Sequence, residues 1–152
     1  MKKFLSLALV SAAVFLTSCG TAVLPEASLT TEEKILLAAI NQSRQEQGKT
    51  PFKASESLTN LARKDAQRRV TDGTGYIDQR SKTGYERMLT LSGRARKGDD
   101  FGKDLMAAWQ KTPLQKQWLE DSYAAVGVGT ATGSNGLETG VVLLGGFSGG
   151  GF

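Results

Sequence analysis

The only cysteine of the 152-residue chain, Cys19, closes an apolar run near the N-terminus, and the chain contains no histidine. These two facts limit everything downstream. Nothing after residue 19 can close a disulfide, and neither imidazole nor thiolate remains there for zinc or copper. A fold built from the rest must be held by its apolar core and its hydrogen bonds alone. The length suits a single domain.

Met1-Lys2-Lys3 precedes an uncharged apolar stretch from Phe4 to Leu16. A short basic start and such a stretch have the form of a secretory signal, too short to remain as a membrane span. The stretch ends at Leu16-Thr17-Ser18-Cys19, which resembles the bacterial lipobox. The resemblance implies a signal peptide over residues 1–18 and acyl chains, palmitate among them, on Cys19. A tether over 19–29 and a folded domain over 30–152 complete the expected organisation. The mature protein would then be an extracytoplasmic lipoprotein of the cell envelope, anchored to a membrane by its lipid. Gly20 follows the cysteine where an aspartate would retain a lipoprotein at an inner membrane.

The chain carries 19 basic and 15 acidic side chains, and loss of Lys2 and Lys3 with the signal leaves 17 against 15. So small an excess argues against a nucleic-acid partner. Arg94, Arg96 and Lys97 form the compact basic cluster of the domain and read as a solvated loop.

Helical signals come first along the domain. Thr30-Thr31-Glu32-Glu33 has capping-box spacing; Leu36, Ile40 and their neighbours repeat with helical period, and Gly48 supplies a stop. A second helix is predicted from Ser55 or Ser57 to Asp72-Gly73, with Leu58, Leu61, Ala62, Asp65, Ala66 and Arg69 inward. Residues 74–83 read as a loop and Tyr85 to Leu91 as a short helix with Met88 and Leu91 inward. Arg94 to Asp100 reads as loop or edge strand. Phe101 to Lys111 is helical in pattern, and Thr112-Pro113 restarts a helix running to Leu119. Period two enters late, over Tyr123 to Thr130 and Thr139 to Phe147, joined by the hairpin residues Gly133-Ser134-Asn135-Gly136. The class is therefore α+β with an antiparallel sheet. Two strands alone are marginal, so a third is required, with Arg94 to Gly98 the best candidate.

Several spaced elements resemble the CAP superfamily, which groups cysteine-rich secretory proteins, venom allergens, plant pathogenesis-related proteins and bacterial SCP-like domains. Asn41 and Arg44 match its Asn-x-x-Arg element, and Gly98-Asp99-Asp100-Phe101 is similar to its Gly-Glu-Asn-Ile element. Trp109-x-x-Thr112-Pro113-x-Gln115 is similar to its Trp-x-x-Ser-Pro-x-His element. Val126 to Gly129 matches the strand that follows, and Leu143 to Phe147 the terminal strand with its aromatic end. The resemblance implies a three-layer α-β-α sandwich around a small antiparallel sheet.

Many members of that family carry a cleft tetrad of two histidines and two acids able to hold a divalent metal. Here the resemblance puts Gln79 at the first histidine, with Asp78 or Arg80 as alternatives, and Gln115 at the second. Asp99 takes one acidic place; Glu120 and Asp121 lie near the other without matching it. The candidate cleft is thus Gln79, Asp99, Asp100 and Gln115, with no metal, no cofactor and no catalytic residue expected. Asp99 and Asp100 also suit a helix cap, Asn41 and Arg44 buried hydrogen bonds between the first helix and the sheet, and Trp109 and Trp118 core or groove lining.

The expected function is a non-catalytic module that binds a small lipid, a glycan or an envelope protein. The alternative is a metal-independent hydrolase of peptides or cell-wall polymer acting through Asp99. The pattern leaves the oligomeric state open.

Overall fold

The computed structural model of the chain describes residues 26–74 and 83–147, apart from the side chains of Trp118 and Glu120. Among the described residues seven elements follow one another: α1 (Thr31–Glu46), α2 (Glu56–Thr71), β1 (Arg87–Arg96), α3 (Phe101–Gln110), α4 (Pro113–Glu120), β2 (Ala125–Thr132) and β3 (Leu137–Gly146).

The start of α1 is the predicted capping box. Thr30 Oγ1 accepts from the Glu33 N–H at 3.3 Å, and Glu33 Oε2 accepts from the Thr30 N–H at 2.9 Å. Glu33 is also a buried carboxylate gripped by Arg63 of α2, whose Nε and Nη2 donate to its two oxygens at 2.7 and 2.6 Å. The same Arg63 Nη2 donates to the Ser28 carbonyl at 2.6 Å, and Ala27 N–H donates to the Ala54 carbonyl at 3.1 Å. Glu26 to Leu29, read from composition as tether, are therefore fastened to the domain, with Leu29 packed against its core.

All three strands are antiparallel, in the order β1-β3-β2. The sequence reading of Tyr85 to Leu91 as a helix is corrected here. Arg87 to Arg96 form one strand that pairs along its whole length with β3, from Arg87↔Gly146 to Arg96↔Leu137. Met88 and Leu91 are three apart, which suits a helix face, yet they lie on opposite faces of the sheet, in different halves of the core. Leu89, Leu91 and Ala95 share one face with strand period. The hydrogen-bonding partner that decides between the two periods lies some fifty residues downstream, so local pattern could not arbitrate. The required third strand is present, and Arg94 to Arg96 form its C-terminal end.

β3, predicted as the last strand, is the central one, and the hairpin before it turns at Gly133 to Gly136 as expected. Gly136 takes φ +73°, and the Gly133 N–H donates to the Leu137 carbonyl at 2.8 Å. The run Val141-Val142-Leu143-Leu144 is buried on both faces, which follows from helices on either side. On one side α1 and α3 supply Leu36, Ile40, Phe101, Leu105 and Trp109 against Leu91, Val126, Val128, Val142 and Leu144. On the other, α2 supplies Leu58, Leu61, Ala62 and Ala66 against Val141 and Leu143. The sandwich is α-β-α, as the resemblance implied.

Two glycines let α2 lie on β2. A Cβ on Gly127 would stand 2.5 Å from Leu58 Cβ, and one on Gly129 would stand 2.6 Å from the Ala62 carbonyl oxygen. Gly102 does the same between helices: a Cβ there would stand 2.6 Å from the Ile35 carbonyl oxygen.

Candidate functional site

Gln115 lies in the first turn of α4, half-buried, just after Pro113 at the helix start. Thr112 holds the extended N-cap conformation, although its hydroxyl makes no capping bond. Asp99 and Asp100 form the corner between β1 and α3 and are exposed. Asp100 stands at the N-cap of α3 without capping it; its carboxylate pairs instead with Lys103 Nζ at 3.3 Å. The capping role expected for these two residues is not realised by Asp100, because its backbone is already helical there (φ −89°, ψ −2°) and a cap needs extended geometry to aim its side chain at the following N–H groups.

The structure does not bring these acids to Gln115. Lys97, just before them, pairs with Glu32 in the first turn of α1 at 2.9 Å. The far end of α4 lies at the opposite end of α1, where Arg44 Nη1 donates to the Leu119 carbonyl at 3.0 Å. Glu32 and Arg44 are twelve residues apart on one helix, which is about 18 Å. The ten residues of α3 separate Asp100 from the α4 restart in the same direction. Cys19 and Gln79, with the alternatives Asp78 and Arg80, lie outside the described residues, as do the side chains of Glu120 and Trp118.

Asn41 and Arg44 make hydrogen bonds, most of them partly buried, but not to the partners expected. Asn41 exchanges two bonds with the Phe52 backbone, donating to its carbonyl at 3.0 Å and accepting from its N–H at 2.7 Å. Arg44 Nε donates to the Thr50 carbonyl at 2.9 Å, and the guanidinium stacks 3.7 Å over the Phe52 ring. Together they tie α1 to the connector before α2 and to the end of α4, not to the sheet. Burial holds the Arg44 guanidinium below its ordinary pKa. Trp109 is core: it is buried, and its indole N–H donates to the Ser92 carbonyl at 3.1 Å.

A second group, not singled out from the sequence, gathers at the end of the sheet where β1 begins and β3 ends. Arg87 lies 4.7 Å over the Tyr123 ring, donates to the Ser122 carbonyl at 3.0 Å and faces Asp121 at 3.9 Å. Phe147, 53 % exposed, packs against Tyr85 with ring centroids 5.3 Å apart. Burial is the main influence on the Tyr123 phenol and raises its pKa; Arg87 opposes it and Asp121 adds to it. The aromatic end of the last strand was the one sequence signal for this ledge, since Arg87 and Tyr85 were read as parts of a helix. Aromatic faces and a guanidinium suit recognition of flat or anionic groups. Among the described residues no cluster of three or more histidine, cysteine, aspartate or glutamate side chains could hold a metal ion. No helix among them is long and apolar enough to cross a membrane.

Several solved structures are similar in fold. The chain superposes on an outer surface protein from Borrelia burgdorferi with a TM-score of 0.63 at 13 % identity, covering 82 % of this chain and 98 % of that one. Venom allergen-like protein 4 from Schistosoma mansoni gives 0.55 at 11 % identity, covering 78 % and 90 %. Among curated proteins, sequence comparison finds no match. The sequence model of the CAP, or cysteine-rich secretory protein, family matches residues 37–145, from the middle of α1 through all but the last residue of β3. With the α-β-α sandwich in place and most of its length matched, the chain belongs to the CAP family.

Proposed function

We infer that this protein is an extracytoplasmic CAP domain, anchored to a membrane through acylated Cys19, that recognises a ligand or partner without transforming it. One observation carries the reading: a CAP scaffold is built here from a chain with no histidine. The resemblance puts Gln115 where a histidine would stand, and an amide neither relays protons near neutral pH nor binds zinc well. Asp99 and Asp100 are exposed at the other end of α3, which gives no support to the hydrolase alternative. The position of the chain's only cysteine after an apolar run supports the anchor, and the Borrelia neighbour is itself described as an outer surface protein.

Two measurements on membranes expressing the full chain test this. Intact mass of the mature protein should show acyl chains on an N-terminal Cys19, and Cys19→Ala should lose them. Metal analysis of the purified protein should find less than a tenth of an equivalent of zinc after dialysis, on the order expected without imidazole or thiolate ligands. An unmodified Cys19 refutes the anchor, and stoichiometric zinc refutes the ligand-recognition reading.

A further inference from the structure

Helix α2 packs on β2 and β3, so the β1 side chains of that face, Ser92 and Arg94, stand beside the helix rather than under it. Two adjoining cavities of about 210 and 150 Å³ open there, sharing Arg94 and Thr139. Their walls come from three directions: Arg69 at the end of α2, Ser92 on β1, and Ser134 and Asn135 in the β2–β3 turn. Together they fall at the lower end of the usual size for small-ligand sites.

The charge of this groove does not cancel. Arg69 is committed to Asp65 of its own helix, with bonds of 3.0 and 3.3 Å. Arg94 gives only Nη2, to the Arg69 carbonyl at 3.1 Å. Among the described residues no carboxylate pairs with Arg94. Thr139 is 3 % exposed, and its hydroxyl forms no side-chain hydrogen bond with a described residue. In the turn, Asn135 Oδ1 is taken by the Leu137 N–H, which leaves its amide N–H₂ as a donor. Donors outnumber acceptors around a single uncompensated guanidinium.

We propose that this groove binds an oxyanion, phosphate or carboxylate, carried on a sugar or polyol. Arg94 takes the anionic group, with two of its nitrogens able to bind it as a fork. The hydroxyls of Ser92, Thr139 and Ser134 and the Asn135 amide hold the hydroxyl groups of the carrier. The site is on the opposite side of the sheet from Gln115 and does not depend on acylation of Cys19. Its failure would leave the anchor untouched, and a failed anchor would leave it untouched.

Calorimetric titration of the mature protein in detergent decides the matter, with sn-glycerol 3-phosphate, glucuronate, inorganic phosphate and glucose as probes. Saturable binding is expected for glycerol 3-phosphate or glucuronate, weaker for inorganic phosphate and absent for glucose. The better of the first two identifies the source of the anion. Arg94→Gln should weaken binding about tenfold or more, the scale of one lost charge-assisted contact, and Arg94→Lys should recover part of it. Ser134→Ala, in the exposed turn, should weaken the carrier-bearing probes and leave inorganic phosphate unchanged. The proposal fails if no anion saturates below about 10 mM, if glucose binds as tightly as the anions, or if folded Arg94→Gln binds within twofold of the parent.

Discussion

Gly129→Ala tests how closely the second helix is pressed onto the sheet. A Cβ at residue 129 would stand 2.6 Å from the Ala62 carbonyl oxygen, with the Ala62 carbonyl carbon and the Arg63 nitrogen nearer still. These are backbone atoms inside a helix, so no rotamer change can clear them. Ordinary contact needs about 3.4 Å or more, so α2 must withdraw by roughly 1 Å. That withdrawal loosens Leu58, Leu61, Ala62 and Ala66 against Val141 and Leu143 along the length of the helix. A gap of this size forfeits a quarter to a half of the dispersion at each contact, and overpacking against side chains alone already costs about 1–3 kcal/mol. The expected loss is about 3 kcal/mol, reduced by about 0.4–1 kcal/mol because alanine restricts the unfolded chain. For a domain of this size that lowers Tm by about 8 °C or more.

Two variants separate the causes. Gly93→Ala meets the end of the Leu105 side chain at 2.7 Å, which can turn aside, so it should cost about 1 kcal/mol. Gly48→Ala has no neighbour within 4 Å but a φ of +70°, so its cost of about 1 kcal/mol is conformational. Thermal and urea unfolding followed by circular dichroism read all three. Gly129→Ala within about 0.5 kcal/mol of the parent, or no worse than Gly93→Ala, would refute the reasoning.

Other outcomes follow from the polar contacts. Arg63→Met leaves the Glu33 carboxylate buried without its cation and releases Ser28, which should cost about 2–4 kcal/mol in urea unfolding. Asn41→Ala strands the Phe52 N–H and carbonyl and should cost about 1–3 kcal/mol by the same measurement. The Lys97 hydrogen bond holds the Glu32 carboxyl below its ordinary value of 4.5. That contribution is present above pH 4.5 and is lost as pH falls through the lower folded value. Glu32→Gln should therefore narrow the difference in Tm between pH 6 and pH 3, and an unchanged difference would exclude the pair as a source of stability.

Local chemistry made much of this fold legible. The Thr30–Glu33 capping box, the proline restart at Pro113 and the Gly133 to Gly136 turn each carry their conformation within a few residues, and each stands where the pattern put it. The first strand did not, because Met88 and Leu91 have helical spacing while Leu89, Leu91 and Ala95 have strand spacing, and only pairing with β3 decides. The candidate cleft was the least legible. Asp99 and Gln115 are sixteen positions apart in sequence, and the ten-residue helix α3 between them holds them apart. The resemblance aligned both residues to one cleft, and alignment alone does not measure the length of helix between them. Arg87 and Tyr123 meet through long-range registration, since β1 and β2 both pair with the end of β3.

Among the described residues β1 is an outer strand, hydrogen-bonded to β3 on one side. The outer edge of a ten-residue strand would ordinarily invite a second molecule to extend the sheet. Three arginines, Arg87, Arg94 and Arg96, punctuate this edge. Bringing two such borders together would set like charges against each other, so the sheet is protected from adding strands from its own kind. Wherever copies of the domain are crowded together, that repulsion keeps contact from becoming polymerisation.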